Sequence, residues 1–595
     1  MKKRWFYLFI CFVLLNFLAP SPISARESNA TNKGSGPMYW ITYEHQFENN
    51  TFMPEDRWQK NVDWIAKDFL PYGYDLVSTD GWIEGSTKHN ENGYVVSHND
   101  SWKHDWKYWA DYVHAKGLKF GIYYNPLWVT PAAVNNPNAT VIGRPDIKIK
   151  DIVNEDDRFN GGQPTSLYWV DVTKDGAREY VEGYVKFFKA QGADFLRVDF
   201  LSWYETGTDK GIGVVGKEHG REQYETALKW MSEAAGKDMN LSLVMPHLKN
   251  HGELEQKYGD MIRIDEDTFH GGWDHLSARR QEWTDTWSQW ANPFQGFTGF
   301  ADISGKGKMI LDGDFLRLNT FKGEWADHER KTAISLFTMA GSPIAIADQY
   351  DTIGDNAKYY QNSELIALNK AGFIGKPIFK NGEHYKFNGR DSERWVGQLP
   401  NGDWIVALFN RSDYAKTVRI DFEKDLGITS LVTVRDLWEH QNLGYQQNFE
   451  KMLQPHDSVV LKLTQPSSLK KYQAETTTLF GEAKFNNNHN GYSGFGFIEN
   501  IHSEGAKVRF DVSVPQAGEY KIQLRYGNGR ATDSIQTLTV NREKKKITFP
   551  SLSDWDKWSD AHTTVLLKEG INTLTVGKEA NDTEAINLDY IRVNQ

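Results

Sequence analysis

Cysteine is almost absent from the 595-residue sequence, and its single copy, Cys11, lies within an apolar run near the start. No second cysteine is available for a disulfide, so burial of apolar side chains must stabilise the fold. Because Cys11 lies inside that run and not at its end, the sequence also argues against a lipid-modified terminus.

A basic surface is also missing. The formal net charge is −11, and no long basic run or basic stripe interleaved with aromatic residues is present. Proteins that bind phosphate backbones need such a concentration of positive charge. The composition therefore argues against a nucleic-acid partner.

The longest apolar run is at the start of the chain. Three basic residues precede the run 5–18, and Ala25 offers a small residue for cleavage. This layout is typical of a secretory signal peptide and not of a stable membrane span. We expect residues 1–25 to be removed and the mature protein to be secreted or periplasmic, without membrane attachment.

Aromatic residues are abundant, with 22 Trp and 14% aromatic residues overall. Their rings offer flat apolar faces with a polar handle, which suits both core packing and the stacking of sugar rings. Core packing explains most of them, and the excess favours a carbohydrate ligand.

From about residue 38 to residue 375, short apolar runs alternate with segments of helical periodicity. The strand-like runs lie at 38–43, 73–80, 118–124, 193–200, 240–246 and 261–265, and clear helical segments lie at 55–72 and 101–117. Alternation on this scale predicts an α/β fold, a TIM (β/α)8 barrel, at residues 37–375.

The pattern changes after residue 376. The stretch "RWVGQLPNGDWIVALFN" (394–410) predicts two strands around Asn401-Gly402, and residues 376–465 are expected to form an antiparallel β-sandwich with no helical stretch. Residues 466–471 are polar, as in a linker. Alternating runs at 508–529 and 572–593 predict a second all-β sandwich at 472–595.

Two predicted barrel strands end in charged residues. In "GADFLRVDF" (192–200), Arg197 and Asp199 are two residues apart and share a face, so both can point inward at the catalytic end of a barrel. The guanidinium should keep Asp199 ionised. A structural ion pair is the alternative interpretation.

The second acidic strand end is "MIRIDED" (261–267), where Arg263 precedes Asp265, Glu266 and Asp267. Two carboxylates from different strand ends are what retaining glycoside hydrolysis needs. One attacks the anomeric carbon, and the other protonates the leaving oxygen and then activates water.

Residues 37–465 resemble glycoside hydrolase family 27, the family of α-galactosidases and related retaining enzymes. "PMYWITYEHQF" (37–47) is similar to the family's opening "PMGW" strand, and "GADFLRVDF" to its nucleophile strand. "LDGDFL" (311–316) resembles the family's "NDPDML", and "SLFTMAGSPIAIADQ" (335–349) its next helix and strand. The shared order of these pieces makes the resemblance specific.

The resemblance implies that Asp199 is the nucleophile and Asp267 the acid/base. The implied substrate-binding residues are Trp40, Asp80, Tyr123, Arg197, Arg263 and Asp265. On sequence alone Asp265 and Glu266 also compete for the acid/base role. For Trp40 and Tyr123, packing in the barrel core is the alternative. No cofactor is implied for catalysis.

Departures from the family pattern bear on the substrate. Family α-galactosidases carry "DDCW" after the second strand, whereas "TDGW" here keeps only Asp80, and "LVMPHLKNHG" (243–252) lacks a further sugar-binding acid. Loss of a hydroxyl clamp changes which sugar fits. These departures favour the isomalto-dextranase branch, which releases isomaltose from the non-reducing ends of α-1,6-glucan. An α-galactosidase, a β-L-arabinopyranosidase and a non-catalytic glycan-binding protein remain alternatives.

The C-terminal unit resembles a family 35 carbohydrate-binding module. "YQAE" (472–475), "GYSGFGFI" (491–498) and "NLDYIRV" (587–593) are similar to the module's strands. The resemblance implies that Glu475 and Asp589 are ligands of a structural calcium ion and that Trp555 and Asn587 contact glycan. A purely structural sandwich is the alternative.

Overall fold

The structure is a computed structural model that describes residues 26, 28–81, 88–159, 166–210, 212–268, 271–278, 291–379, 389–466 and 470–595. The predicted signal peptide, residues 1–25, lies outside these described residues. Within them, no helix combines the length and apolar character needed to cross a membrane.

The N-terminal domain is a parallel β-barrel with eight strand positions. The strands are Met38–Ile41, Leu76–Ser78, Lys119–Tyr123, Phe195–Val198, Asn240–Leu243, Met261–Arg263, the pair Ile310–Asp312 and Phe315–Leu316, and Ile344–Ile346. The seventh position is split: Ile310–Asp312 pairs with the sixth strand, and Phe315–Leu316 pairs with the eighth. These two pieces close the ring, and the predicted barrel is confirmed.

One principal helix follows each strand position. These helices are Glu55–Asp68, Trp106–His114, Ala177–Gln191, Gly220–Ala235, Lys249–Tyr258, Pro293–Gly299, Ala326–Ala340 and Ser363–Lys370. Shorter helices are Asn29–Lys33, Tyr43–Asn49, Pro131–Val134, Leu201–Thr206 and Ala357–Tyr360, with a π-helical turn at Asp274–Ala278. Small strands in the loops are Trp128–Val129, Thr140–Val141, Arg144–Lys148, Val153–Arg158, Tyr168–Val170, Thr208–Asp209 and Gly213–Val214.

Alternate residues of each strand face the barrel interior or the helix layer. The interior cluster contains Tyr39, Ile41, Leu76, Phe195, Met261, Ile310, Phe315, Ala345 and Ala347. The register pairs Arg197 with Tyr123 on one side and with Ser242 on the other. Arg197 and Tyr123 therefore continue the inward face toward the carboxyl ends of the strands.

The second domain is an antiparallel β-structure. Its main sheet contains Lys376–Phe379, Arg390–Gln398, Trp404–Phe409, Ser458–Thr464, Val432–Asp436 and Gln441–Gln446, and Lys416–Asp421 pairs with Asn448–Leu453. The hairpin predicted around Asn401-Gly402 is confirmed. The expectation of no helix was wrong, because the Asp421 side chain accepts two backbone N–H groups and caps the short helix Phe422–Leu426.

The third domain consists of two antiparallel sheets. One contains Lys484–Asn486, Phe497–Glu499, Asn587–Asn594, Gly518–Gly527 and Ser559–Leu567, with Tyr472–Gln473 at its edge, and the other Thr478–Phe480, Lys507–Val514, Gly570–Gly577, Ser534–Val540 and Glu543–Phe549. In the described part of the predicted linker, Lys470 Nζ lies 2.9 Å from Asp403 Oδ1. Lys306 pairs with Asp511 at 3.4 Å, so this domain also contacts the barrel.

Candidate active site

Asp199 follows the fourth barrel strand, and both of its carboxylate oxygens are held. Tyr123 Oη donates to Oδ2 at 2.8 Å, and the Phe200 backbone N–H donates to Oδ1 at 2.6 Å. Phe200 has a φ of 59°, a left-handed conformation that is costly for a bulky residue and that tends to occur at functional sites. The carboxylate is therefore fixed in one orientation, as a nucleophile requires.

The pKa of Asp199 is raised to about 6, first by burial and then by the nearby charge of Asp267, while Arg197 opposes the shift. Arg197 favours the ionised form of Asp199, as the sequence predicted, but burial and the charge of Asp267 outweigh its effect. Asp199 and Asp267 lie close enough for their charges to interact, as two cooperating carboxylates must.

The buried Arg197 guanidinium is directed at three other carboxylates. It lies 3.2 Å from Asp80 Oδ2, 2.9 Å from Asp312 Oδ2 and 3.1 Å from Asp314 Oδ1. Arg197 thus supports the floor of the site and influences Asp199 through space.

Arg263 occupies the equivalent inward position on the sixth strand. Its Nη2 lies 2.6 Å from Asp267 Oδ1, and its Nη1 lies 3.0 Å from Asp314 Oδ1. The Asp267 side chain is 43% exposed, whereas Arg263 is buried. Asp314 bridges the two guanidiniums, and Asp267 remains accessible to a substrate.

Asp265 is fully buried, and neither of its oxygens has a hydrogen-bond partner. Arg263 Nε lies 3.7 Å away. Burial raises the pKa of Asp265 well above its ordinary value, which favours the neutral acid. A side chain with no exposed surface cannot reach a substrate, so both the substrate-binding and the acid/base assignments of Asp265 are corrected.

Asp80 lies beneath the same pocket and is 4% exposed. Its pKa is raised to about 7, chiefly by burial, with Arg197 opposing the shift and the charge of Asp199 adding to it. Asp80 thus lies close enough to Asp199 for their charges to interact, and its role in substrate binding stays a prediction. The residues that follow it, 82–87, lie outside the described part of the chain.

Trp40 does not reach this pocket. Its fully buried ring packs 5.6 Å from Trp58 of the first principal helix, and its Nε1 donates to the Asp348 carbonyl at 3.0 Å. Its neighbours Tyr39 and Ile41 face the interior instead. The assignment of Trp40 to the substrate site is therefore corrected, and packing against the helix layer is its role.

Three residues of the site were missed. Asp312 and Asp314 flank the break in the seventh strand, and Asp314 has a φ of 71°. Tyr43 begins the short helix after the first strand and packs against the interior cluster. Burial raises the pKa of its hydroxyl, and the charges of Asp267 and Asp314 add to the shift. The signal that could have found Asp312 and Asp314 is the pair of acids in "LDGDFL" (311–316).

His247 stands after the fifth strand, where galactose-specific family members carry an acid. It is 4% exposed, and its Nε2 lies 3.0 Å from Thr206 Oγ1. Burial lowers its pKa to about 4, so the ring is neutral at physiological pH.

The described pocket brings two guanidiniums together with six carboxyl groups. The carboxyl groups belong to Asp80, Asp199, Asp265, Asp267, Asp312 and Asp314. An excess of negative charge in a buried site stabilises the positive charge that develops on a sugar ring as its glycosidic bond breaks.

The C-terminal domain contains a separate cluster of buried oxygen atoms. Glu475 Oε2 and Gln473 Oε1 are buried without hydrogen-bond partners. Asp589 accepts from the Ser493 N–H at 3.1 Å and lies 3.1 Å from Arg525 Nε. Burial raises the pKa of Glu475 and raises that of Asp589 to about 7, and the charge of Asp589 adds to the shift at Glu475.

These oxygen donors fit a calcium ion, which prefers carboxylate and amide oxygens. Within the described residues no cluster of three His, Cys, Asp or Glu side chains is present, so a calcium ion here would need the amide oxygen of Gln473 beside Glu475 and Asp589.

The predicted glycan-contacting residues of the C-terminal domain lie near each other, since the Trp555 carbonyl oxygen and the Asn587 Cβ both lie close to Gly527. Trp555 is partly exposed and stacks on His489 with ring centroids 6.1 Å apart. Asn587 is 5% exposed. The Trp555 ring is thus the more accessible of the two groups.

Two family models match the chain. Residues 389–463 match the alpha galactosidase C-terminal beta sandwich domain, and residues 470–595 match carbohydrate binding module family 35. The expected sandwich and carbohydrate-binding module are therefore confirmed as domain types.

The chain is 47% identical to isomalto-dextranase of Arthrobacter globiformis over 97% of its own length and 93% of that protein. It is 26% identical to an alpha-galactosidase of Oryza sativa subsp. japonica over 66% of its length and 76% of that protein.

Among solved structures, the isomalto-dextranase of Arthrobacter globiformis T6 complexed with panose matches with a TM-score of 0.92 and 47% identity, over 97% of this chain and 99% of that one. A family 27 β-L-arabinopyranosidase of Geobacillus stearothermophilus shares the fold, with a TM-score of 0.57 and 22% identity over 74% of this chain and 100% of that one. The chain belongs to glycoside hydrolase family 27, in the branch that contains isomalto-dextranase.

Proposed function

We propose that this glycoside hydrolase cleaves α-1,6-glucan such as dextran with retention of configuration and releases isomaltose from the non-reducing ends. The observation that carries the proposal is the convergence of Asp199 and Asp267 on one pocket, in a chain that is 47% identical to isomalto-dextranase over nearly its whole length.

In this proposal Asp199 attacks the anomeric carbon and forms a covalent glycosyl intermediate. The hydrogen bonds from Tyr123 and from the Phe200 N–H aim the carboxylate and stabilise its ionised form. Asp267 donates a proton to the leaving oxygen and then removes a proton from the attacking water. Arg263 orients Asp267 through the contact between Nη2 and Oδ1.

The sugar specificity follows from what surrounds Asp80. The single acid there and the neutral His247 leave fewer charged clamps for hydroxyl groups than a galactose site provides. A sugar substituted at its 6-oxygen is therefore accepted, and a disaccharide is the product.

We also propose that the protein is exported and that its C-terminal module binds glycan around Trp555 and Asn587. Gln473, Glu475 and Asp589 would hold a structural calcium ion, whose positive charge would neutralise the buried carboxylates. N-terminal sequencing of the mature protein tests the first point, since cleavage after Ala25 would leave Arg26 as the first residue.

Specificity constants on dextran and on an aryl α-galactoside test the proposed substrate. We expect efficient release of disaccharide from dextran and at least about 100-fold lower kcat/KM on the galactoside, because buried groups built for one sugar are left unpaired by another. Efficient cleavage of the galactoside with inert dextran would refute the glucan assignment but leave the catalytic pair intact.

A further inference from the structure

The segment that follows Asp267 lies against the second domain. The structure describes this segment at Thr268 and again at 271–278, which includes the π-helical turn Asp274–Ala278. The Asp267 side chain contacts Arg263, but its backbone belongs to a loop and not to a barrel strand. The conformation of this loop therefore helps to decide where the Asp267 carboxyl group lies.

The π-helical turn contacts the backbone of Asp267 directly. His275 Nδ1 lies 3.3 Å from the Asp267 carbonyl oxygen, and His275 is 6% exposed. Ser277, two residues further along the same turn, is also buried. Because the turn is short and enclosed, a displacement of Ser277 would also move His275 and with it Asp267.

Arg411 of the second domain holds this turn. Its Nε donates to Ser277 Oγ at 2.8 Å, and its Nη2 donates to the Ser277 carbonyl oxygen at 2.9 Å. Within its own domain, Arg411 Nη1 donates to Ser392 Oγ at 2.9 Å. The guanidinium also lies 4.6 Å over the Phe294 ring. The planar guanidinium is thus bound on both sides of the domain boundary, which fixes the direction as well as the distance of its contacts with Ser277.

His456 is a second anchor from the same domain. Its ring stacks on Trp273 with centroids 4.0 Å apart and an interplanar angle of 16°. His456 Nδ1 lies 2.7 Å from Glu329 Oε1 of the barrel helix Ala326–Ala340, and Nε2 lies 2.8 Å from Asp413 Oδ1. Burial lowers the pKa of His456, but the hydrogen bonds to the two carboxylates outweigh it, so the pKa is raised. A positive ring over an indole is favourable, so His456 holds the segment at Trp273.

We propose that Arg411 and His456 are positioning residues for the acid/base Asp267. Through these two side chains the second domain fixes residues 271–278, and the contact between His275 and the Asp267 carbonyl passes this placement to the carboxyl group. The placement matters because a misplacement of about 1 Å can lower the rate by about 10²-fold. The inference rests on the proposed function of Asp267.

The test measures kcat/KM on aryl α-isomaltosides whose leaving phenols differ in pKa. A poor leaving group needs a proton from the enzyme and a good one does not, so the ratio of kcat/KM for the best to the poorest leaving group reports on the acid. Arg411→Ala and His456→Gln should each raise this ratio by about tenfold, and Asp267→Ala should raise it by much more. Arg411→Lys, which keeps the charge and a donor, should restore part of the loss.

The matched control is Arg435→Ala. Arg435 also joins the second domain to the barrel, since its Nε and Nη2 lie 2.8 and 2.7 Å from the Glu364 carboxylate oxygens, but it contacts the helix Ser363–Lys370 and not the segment 271–278. This variant should leave the ratio unchanged. If Arg411→Ala does not fold, Ser277→Ala removes only the hydroxyl partner of Arg411 and should raise the ratio by about threefold.

Two outcomes count against the inference in different ways. A strong leaving-group dependence in Asp267→Ala, together with unchanged ratios in the Arg411, His456 and Ser277 variants, would overturn the positioning role and leave the acid/base assignment in place. An unchanged ratio in Asp267→Ala would refute the acid/base assignment itself, and the inference with it.

Discussion

The catalytic pocket and the C-terminal oxygen cluster both bury carboxylates, and they compensate the negative charge differently. In the barrel, Arg197 and Arg263 supply two guanidiniums from within the chain, and Asp314 bridges them. In the C-terminal domain, Arg525 contacts Asp589, whereas Glu475 Oε2 has no hydrogen-bond partner.

The two regions face the same unfavourable free energy of carboxylate burial and compensate it in different ways. Burial of a carboxylate is unfavourable unless a positive charge or hydrogen bonds compensate it. The barrel keeps partial compensation permanently and leaves Asp199 and Asp267 available for chemistry. In the C-terminal domain the proposed calcium ion would supply the missing positive charge, and its binding would then be coupled to folding.

The largest effect should come from the nucleophile. Asp199→Asn is nearly isosteric, but the amide cannot attack the anomeric carbon, so we expect kcat on dextran to fall by about 10⁴-fold or more. Circular dichroism should show an unchanged fold, and oligosaccharide affinity should be retained. Residual activity above a few per cent, with deamidation excluded by mass spectrometry, would falsify the assignment.

The second effect concerns the acid/base. Asp267→Ala should reduce glucan hydrolysis by roughly 10²–10⁴-fold but spare the first step on an activated aryl glycoside, whose leaving group needs no protonation. Added azide should partly restore turnover. The matched controls are Asp265→Ala and Glu266→Ala, and azide rescue in either of these would move the acid/base role to that residue.

The third effect concerns the proposed calcium ion of the C-terminal cluster. Chelation should lower the melting temperature of the C-terminal domain, because loss of a ligand present at a hundredfold excess over its Kd costs about 2.7 kcal/mol. Glu475→Gln should abolish this sensitivity. Initial rates on short oligosaccharides should not change on chelation, because the guanidinium groups of Arg197 and Arg263 compensate the buried carboxylates of the barrel.

The pH dependence of the chelation effect follows from the raised pKa values of Glu475 and Asp589. Raised folded-state values mean that the metal-free domain is stabilised by protonation and loses this stability as the pH rises through about 7. Chelation should therefore destabilise the domain more at pH 8 than at pH 5. Equal melting temperatures with and without chelator at pH 8 would contradict the calcium proposal.

The smallest effect concerns the protonation of Asp199. Catalysis needs the ionised form, so kcat/KM should fall as the pH drops through about 6. Tyr123→Phe removes a hydrogen bond that favours the carboxylate, so the acidic limb should move upward by about one pH unit. Tyr359→Phe, a change on a helix outside the pocket, should leave the profile in place. A limb that stays near 6 in Tyr123→Phe would contradict this role.

The sequence predicted the barrel, the hairpin at Asn401-Gly402 and the strand-end positions of Asp199 and Asp267. These features depend on strand-helix alternation and on the period of two within a strand, which are local signals. Trp40 was misassigned because the first strand is buried on both faces, so no polar alternation shows which residues face inward.

The pairing of charges depended on tertiary structure. Asp312 shares the inward face of Ile310 on the seventh strand, whereas Asp314 reaches Arg197 after the strand breaks at Gly313. The local sequence pattern does not indicate this break in the strand. It also does not show that the Asp265 side chain is fully buried. The strand ends were predictable, whereas their partners were not.

The configuration of the first product tests the central claim most directly. Proton NMR of dextran during the first per cent of hydrolysis should show isomaltose with its reducing end in the α configuration, before mutarotation. That result requires a double displacement, the mechanism assigned to Asp199 and Asp267, and cleavage two glucosyl units from the non-reducing end. Initial release of the β anomer would contradict the retaining mechanism, and release of glucose or galactose instead of isomaltose would contradict the substrate assignment.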